Sequence, residues 1–190
     1  MSEQYKLKIA GLERILPIIK IEDKLSIASF VMLGDTELNY KCSKEIIKLF
    51  PNNNFDYIVI PESKAIPLAQ SICQELSQEH YKEYIVLRKS VKGYMDSPLI
   101  TKVKSITTSN PQELVMNGTD REKINGKNIF LLDDVISTGE SFRAMINLVR
   151  KADANICFAG AVLKEGDFDI SDIENDLGLK IKYLETIPLF

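Results

Sequence analysis

Five short apolar runs recur along the chain, at residues 57–60, 84–87, 129–132, 156–163 and 181–184, and all but the last, which Lys182 interrupts, are continuous rather than alternating. Continuous runs of this length mark strands covered on both faces. Between the first two, Ile66, Leu68, Ala69, Ile72, Cys73 and Leu76 recur at spacings of three and four, which predicts a helix with one buried face. After Ser141, residues Phe142, Met145, Ile146, Leu148 and Val149 repeat that pattern. Strand and helix in alternation predict an α/β fold, a mostly parallel twisted sheet flanked by helices.

Two regions break the alternation. Residues 6–21 and 38–50 are amphipathic, and Phe50-Pro-Asn-Asn-Asn-Phe55 reads as a loop before the first core strand. Residues 1–50 are therefore expected to form a small flap, or hood, over a core of residues 51–190, the whole chain of 190 being one domain. The second region, 90–126, is long and polar; 100–107 and 113–116 read as a hairpin, and no helix is expected there. Long irregular segments inside compact domains are characteristically lids, and a flexible lid is expected at about 90–110.

Composition narrows the classes. Apolar residues are 45% and charged residues 27% of the chain, the balance of an ordinary globular protein. A formal charge of −3 argues against a nucleic-acid surface, which needs a basic stripe to displace counterions. Cys42, Cys73 and Cys157 are odd in number with no CxxC spacing and read as reduced thiols. No apolar run is long enough for a membrane span, and the N-terminus lacks the apolar stretch of a secretory signal. The expected location is the cytoplasm, without membrane partners. The one histidine, His80, reads as a surface residue.

The chemistry concentrates in Asn128-Ile-Phe-Leu-Leu-Asp-Asp-Val-Ile-Ser-Thr-Gly-Glu-Ser-Phe142. Ligands of open α/β sheets bind beyond the carboxyl ends of the strands, where Asp133 and Asp134 are expected. The following turn, Ser137, Thr138, Gly139, Glu140 and Ser141, opens a helix whose free N–H groups and dipole favour a phosphate. Adjacent carboxylates suit vicinal hydroxyls or a hydrated Mg²⁺. Together the stretch fits a ribose carrying a 5′-phosphate. Acid pairs after a strand also open receiver domains, but there the pair stands near the domain start, whereas here it lies late. A second candidate anion turn, residues 60–69, follows the first strand and contains Ser63 and Lys64; a cation cluster, Arg88, Lys89 and Lys92, follows the next.

Four apolar residues, two acids and a Ser/Thr-Gly-x-Ser turn resemble the 5-phosphoribosyl-1-pyrophosphate (PRPP) motif of type I phosphoribosyltransferases. By that resemblance Asp133 and Asp134 would be catalytic, holding the ribose hydroxyls and Mg²⁺ directly or through water, and residues 137–141 would hold the 5′-phosphate. Ser63, Lys64, Arg88, Lys89 and Lys92 would bind pyrophosphate. The adenine type usually has Glu-x-Arg-Gly-Phe where this chain has Glu62-Ser63-Lys64-Ala65-Ile66. Members commonly form homodimers.

For the base, hypoxanthine-guanine members carry an Asp at the position of Ser137, which sets that subclass aside, and orotate members carry a lid His-Gly absent here. The run from Leu87 to Lys164 is most similar to the adenine/xanthine branch, so the resemblance implies a purine salvage enzyme joining PRPP to adenine or xanthine. Glu165 and Phe168 are the base-contact candidates, the carboxylate for a base presenting N–H donors, the ring for stacking. The alternatives are an orotate enzyme and a non-catalytic sensor of PRPP or nucleotide on the same fold.

Overall fold

The computed structural model describes residues 3–23, 25–50, 52, 54–77, 82–103 and 112–190. Its centre is a five-stranded, wholly parallel sheet built from β4 (Tyr57–Pro61), β5 (Glu83–Leu87), β8 (Asn128–Ile136), β9 (Asn155–Glu165) and β10 (Lys182–Ile187), in the order β10-β9-β8-β4-β5. All five apolar runs of the sequence are strands of this sheet.

Alternate residues of the central strands face opposite layers, as the pleat requires. Ile58, Ile60, Phe130 and Leu132 enter one core with α1 (Thr36–Leu49) and α2 (Ile66–Leu76). Val59, Ile129 and Leu131 enter the other with α4 (Glu140–Lys151). On the first side Phe50, Phe55 and Phe158 gather around Phe130, with ring centroids 4.7 Å apart for Phe50 and Phe130, so the loop before β4 is pinned by aromatic contacts at its ends.

The amphipathic N-terminal segment is a sheet. β1 (Gln4–Ile9), β2 (Leu12–Glu22) and β3 (Leu25–Ala28) pair antiparallel in that order. The period is two: Leu7, Ile9 and Leu16 are buried while Lys6, Lys8 and Ile15 are exposed. Arg14 of β2 joins this sheet to α1, donating from Nε to Asp35 Oδ2 at 2.7 Å, while Asp35 caps the helix by accepting from the Leu38 N–H at 3.0 Å.

In the polar region, β6 (Leu99–Val103) pairs antiparallel with β7 (Gln112–Met116), the expected hairpin. Its connecting residues, 104–111, and His80 lie outside the described residues. The base of the hairpin is anchored, since Arg88 and Val115 exchange two backbone hydrogen bonds of 2.8 Å and Leu114, Val115 and Met116 are buried. No helix was expected next, yet α3 (Gly118–Ile124) follows. Only Ile124 of its seven residues is buried, so the sequence carries no apolar period to announce it. A last short helix, α5 (Ser171–Leu177), precedes β10.

Candidate active site

Strand β8 runs further than its apolar stretch suggests. It continues through the acid pair to Ile136 because β9 pairs alongside it, Asp133 opposite Ala161 and Val135 opposite Leu163. The carboxylates therefore sit in the strand itself, 6% and 8% exposed, rather than on a solvated loop. The Asp134 N–H donates to Asp133 Oδ1 at 2.8 Å. Burial, and next the Asp134 charge, push the Asp133 carboxyl well above the usual carboxylate range.

A cavity of about 290 Å³ opens over this strand end. Asp133, Asp134, Ser137 and Ser141 line one part of it, and Glu62, Ser63 and Lys64 from the turn after β4 line another. Lys89, Leu114 and Glu165 close in from β5, β7 and β9. Two predicted cations, Lys64 and Lys89, thus share the cavity with the acid pair. The Lys64 ammonium lies 3.6 Å from Asp134 Oδ2 and donates to the Phe30 carbonyl at 3.3 Å.

The helix start behaves as an anion seat. Unlike α1, α4 has no side-chain cap on its first N–H groups, which leaves them for a ligand. Gly139 precedes the helix at φ +81, and a Cβ there would stand 2.1 Å from Ile173 Cδ1; only glycine fits this conformation and this space. Thr138 and Glu140 belong to the same turn without lining the cavity, Glu140 pairing with Arg143 at 3.4 Å. At the second turn the adenine-type glycine position is held by Ala65 at φ −81, the first-turn conformation of α2. No glycine is required there. The preceding peptide, Glu62–Ser63, is cis.

The remaining candidates go elsewhere. Arg88 does not line the cavity; its guanidinium pairs with Glu62 Oε1 at 3.2 Å, and the other oxygen of Glu62 accepts from the Lys89 N–H at 3.0 Å. Lys92 is half-buried and donates to Ser90 Oγ. Phe168 lines a separate depression beside Leu49, Ile170 and Tyr183, so the ring is not brought to this cavity. Glu165 is, and burial raises its carboxyl above the ordinary value while Lys64 opposes the rise. Sequence reasoning did not single out Glu62 as a cavity residue, and it missed the wall of Ile27, Ala28, Ser29 and Phe30, which approaches from the β3 side and carries no motif.

The donor set fits a divalent ion. Asp134 Oδ2 is buried without a hydrogen-bond partner, and the described residues contain no cluster of three or more His, Cys, Asp or Glu side chains. An ion here would draw its remaining oxygens from substrate and water, the habit of Mg²⁺.

A parallel sheet brings an acid pair and two turns that open helices to one rim, the position where α/β proteins bind their ligands. The phosphoribosyl transferase domain model matches residues 36–174, and the chain belongs to that family. A protein of Methanothermus fervidus named hypoxanthine/guanine phosphoribosyltransferase is 30% identical over 84% of this chain and 78% of its own. One of Methanococcus maripaludis with the same name is 31% identical over 86% and 81%. Among solved structures, adenine phosphoribosyltransferase from Thermoanaerobacter pseudethanolicus superposes with a TM-score of 0.72 at 16% identity, covering 90% of this chain and 95% of its own. The Giardia lamblia enzyme complexed with 9-deazaadenine gives 0.68 at 14%, covering 90% and 93%. These last likenesses are of fold.

Proposed function

We propose that the protein is a purine salvage phosphoribosyltransferase, moving the 5-phosphoribosyl group of PRPP to a purine with release of pyrophosphate. The observation that carries this is the convergence of the buried acid pair, the uncapped start of α4 and Lys64 on one cavity. Asp133 and Asp134 hold the ribose hydroxyls and stabilise the oxocarbenium-like sugar, while residues 137–141 hold the 5′-phosphate. Ser63, Lys64 and Lys89 face the leaving pyrophosphate; Arg88 and Lys92 would have to turn toward it. A bound Mg²⁺ would add charge stabilisation of that leaving group.

The wall of residues 27–30 and Glu165 is left for the base. The three-stranded sheet then serves as the hood, and the β6–β7 hairpin as the lid that excludes water. Glu165 offers a carboxylate to a purine N–H. Relatives sharing 30% identity are named for hypoxanthine and guanine, whereas the adenine-named neighbours share 14–17%. Hypoxanthine and guanine are therefore the first bases to test, despite Ser137, followed by xanthine and adenine. The exposed Tyr94 and Val91 beside Lys92 suit a homodimer contact. A cytoplasmic setting accords with three free cysteines and with the lack, among the described residues, of any helix long and apolar enough to cross a membrane.

The test is pyrophosphate release from PRPP and Mg²⁺ with each purine, and with orotate, supplied separately; the Asp133→Asn/Asp134→Asn variant is the control. Release with a purine alone establishes the reading. Release with orotate transfers it to pyrimidine synthesis, and PRPP binding without release with any base makes the protein a sensor.

A further inference from the structure

The wall of residues 27–30 faces Glu165 across the cavity, yet the two belong to different sheets, since the three-stranded and five-stranded sheets share no strand. One short segment, the end of β10 and the residues after it, touches both. Toward the wall, Ser26 and Phe190 exchange backbone hydrogen bonds of 2.7 and 2.9 Å, and Ile27 sits opposite Leu189 in an antiparallel bridge. The Phe190 ring also meets Tyr5 of β1 edge-on, with centroids 5.6 Å apart. Toward Glu165, Ile187 is its partner in the β10–β9 register, and the Gly166 N–H donates to the Ile187 carbonyl at 2.8 Å. Gly166 has φ +66, and a Cβ there would lie 2.9 Å from Leu189 Cδ1. The leucine thus fills the space left by the glycine next to Glu165.

We propose that Leu189 is a positioning residue for the base, acting as a wedge between Gly166 and Ile27 that sets the separation of Glu165 from the wall of residues 27–30. This rests on the reading of that part of the cavity as the base site. The 5′-phosphate side is built from other contacts, with Gly139 against Ile173; Lys64, in the turn after β4, reaches Asp134 and touches the wall through a single hydrogen bond to the Phe30 carbonyl. Loosening the wedge therefore changes the base end of the cavity far more than the 5′-phosphate end, which a general loss of stability would not do.

The experiment compares Leu189→Ala, which empties the space, with Leu189→Met, which nearly conserves its volume. In Leu189→Ala the KM for the purine should rise about tenfold while the KM for PRPP stays within about twofold, since small displacements of a binding group carry factors of this order. Leu189→Met should be close to the parent. Both KM values rising together, or neither moving, would overturn the proposal. A second readout needs no turnover. Amide hydrogen exchange in Leu189→Ala should quicken at residues 26–30 and 165–168 and stay unchanged at 137–142; uniform change, or none, equally overturns it. If the parent protein turns over no purine, the enzymatic reading fails, and the exchange pattern still decides whether Leu189 sets the two walls.

Discussion

Lys64 and Asp134 form an open ion pair, Nζ to Oδ2 at 3.6 Å, in which the carboxylate oxygen is buried and has no hydrogen-bond partner. The contact is too long for a hydrogen bond and leaves both groups with capacity for a further partner from the cavity. The same ammonium donates to the Phe30 carbonyl, so one side chain joins the turn after β4, the acid pair and the hood-side wall. Replacing it with methionine keeps the stem and removes the charge. Lys64→Met should raise the KM for PRPP by about ten- to a hundredfold, the equivalent of one charge-assisted hydrogen bond. Steady-state kinetics with PRPP as the varied substrate would show this, and an unchanged KM would remove Lys64 from the pyrophosphate contacts.

The acid pair is held against its own stability. Two adjacent carboxylates in a buried strand repel each other and lose hydration, and Asp133→Asn keeps the Oδ1 acceptor that the Asp134 N–H uses. The Asp133→Asn/Asp134→Asn variant should lose turnover and yet melt no lower than the parent, the trade between stability and activity that functional groups commonly show. Thermal unfolding beside the pyrophosphate assay measures both; a marked drop in Tm would mean that the pair is structural.

Gly139 answers to two constraints that can be separated. Gly139→Ala places a side chain in the left-handed region, at a cost of roughly 1–2 kcal/mol, and drives its Cβ into Ile173. Adding Ile173→Val should recover part of the steric loss and leave the backbone cost. Urea unfolding of the single and double variants distinguishes the two contributions; full recovery in the double variant would show that φ is not the constraint.

Acid stability has an identifiable contributor at the hood. The hydrogen bond from Arg14, ahead of the Leu38 N–H, holds the Asp35 carboxyl below its ordinary value of 3.8. The folded value is the lower one, so between it and 3.8 the unfolded chain binds the extra proton. Stability from this group is therefore complete at neutral pH and is lost as pH falls through that window. Asp35→Asn should be less stable than the parent at pH 7, and the gap should narrow below about pH 4. Chemical denaturation across that range checks it, and a gap independent of pH would show that the Asp35 charge is not the source of the loss, since Asn still caps the helix.

Much of this was legible in the residues because the decisive signals are local. The five strands declare themselves by apolar runs, and the β8–α4 turn by a few contiguous residues whose chemistry needs no distant partner. What was hidden depends on folding at long range. The wall of residues 27–30 becomes a cavity surface through long-range contacts, β3 with Leu189 and Phe30 with Lys64, and nothing in Ile27-Ala28-Ser29-Phe30 suggests it. Arg88 looked like a phosphate ligand by charge, but Glu62, 26 positions earlier in number and adjacent in space, takes its guanidinium. Phe168 failed for the same reason: an aromatic in a loop has no pattern to say which side it faces. The seven-residue α3 went unseen because a single buried residue makes no period.

The strand order also governs how the chain is made. β4 and β5 are neighbours in sequence and in the sheet, but the other edge of β4 waits for β8, and the Asn128 N–H finds the Asp56 carboxylate across 72 residues. At roughly 5–20 residues per second of synthesis, an apolar strand edge stays open for about 4–14 seconds after it has left the ribosome, an invitation to pairing with another chain. The segment that brings the acid pair is thus the same one that closes this edge, and a nascent chain interrupted before residue 128 would both lack the candidate site and be prone to aggregate.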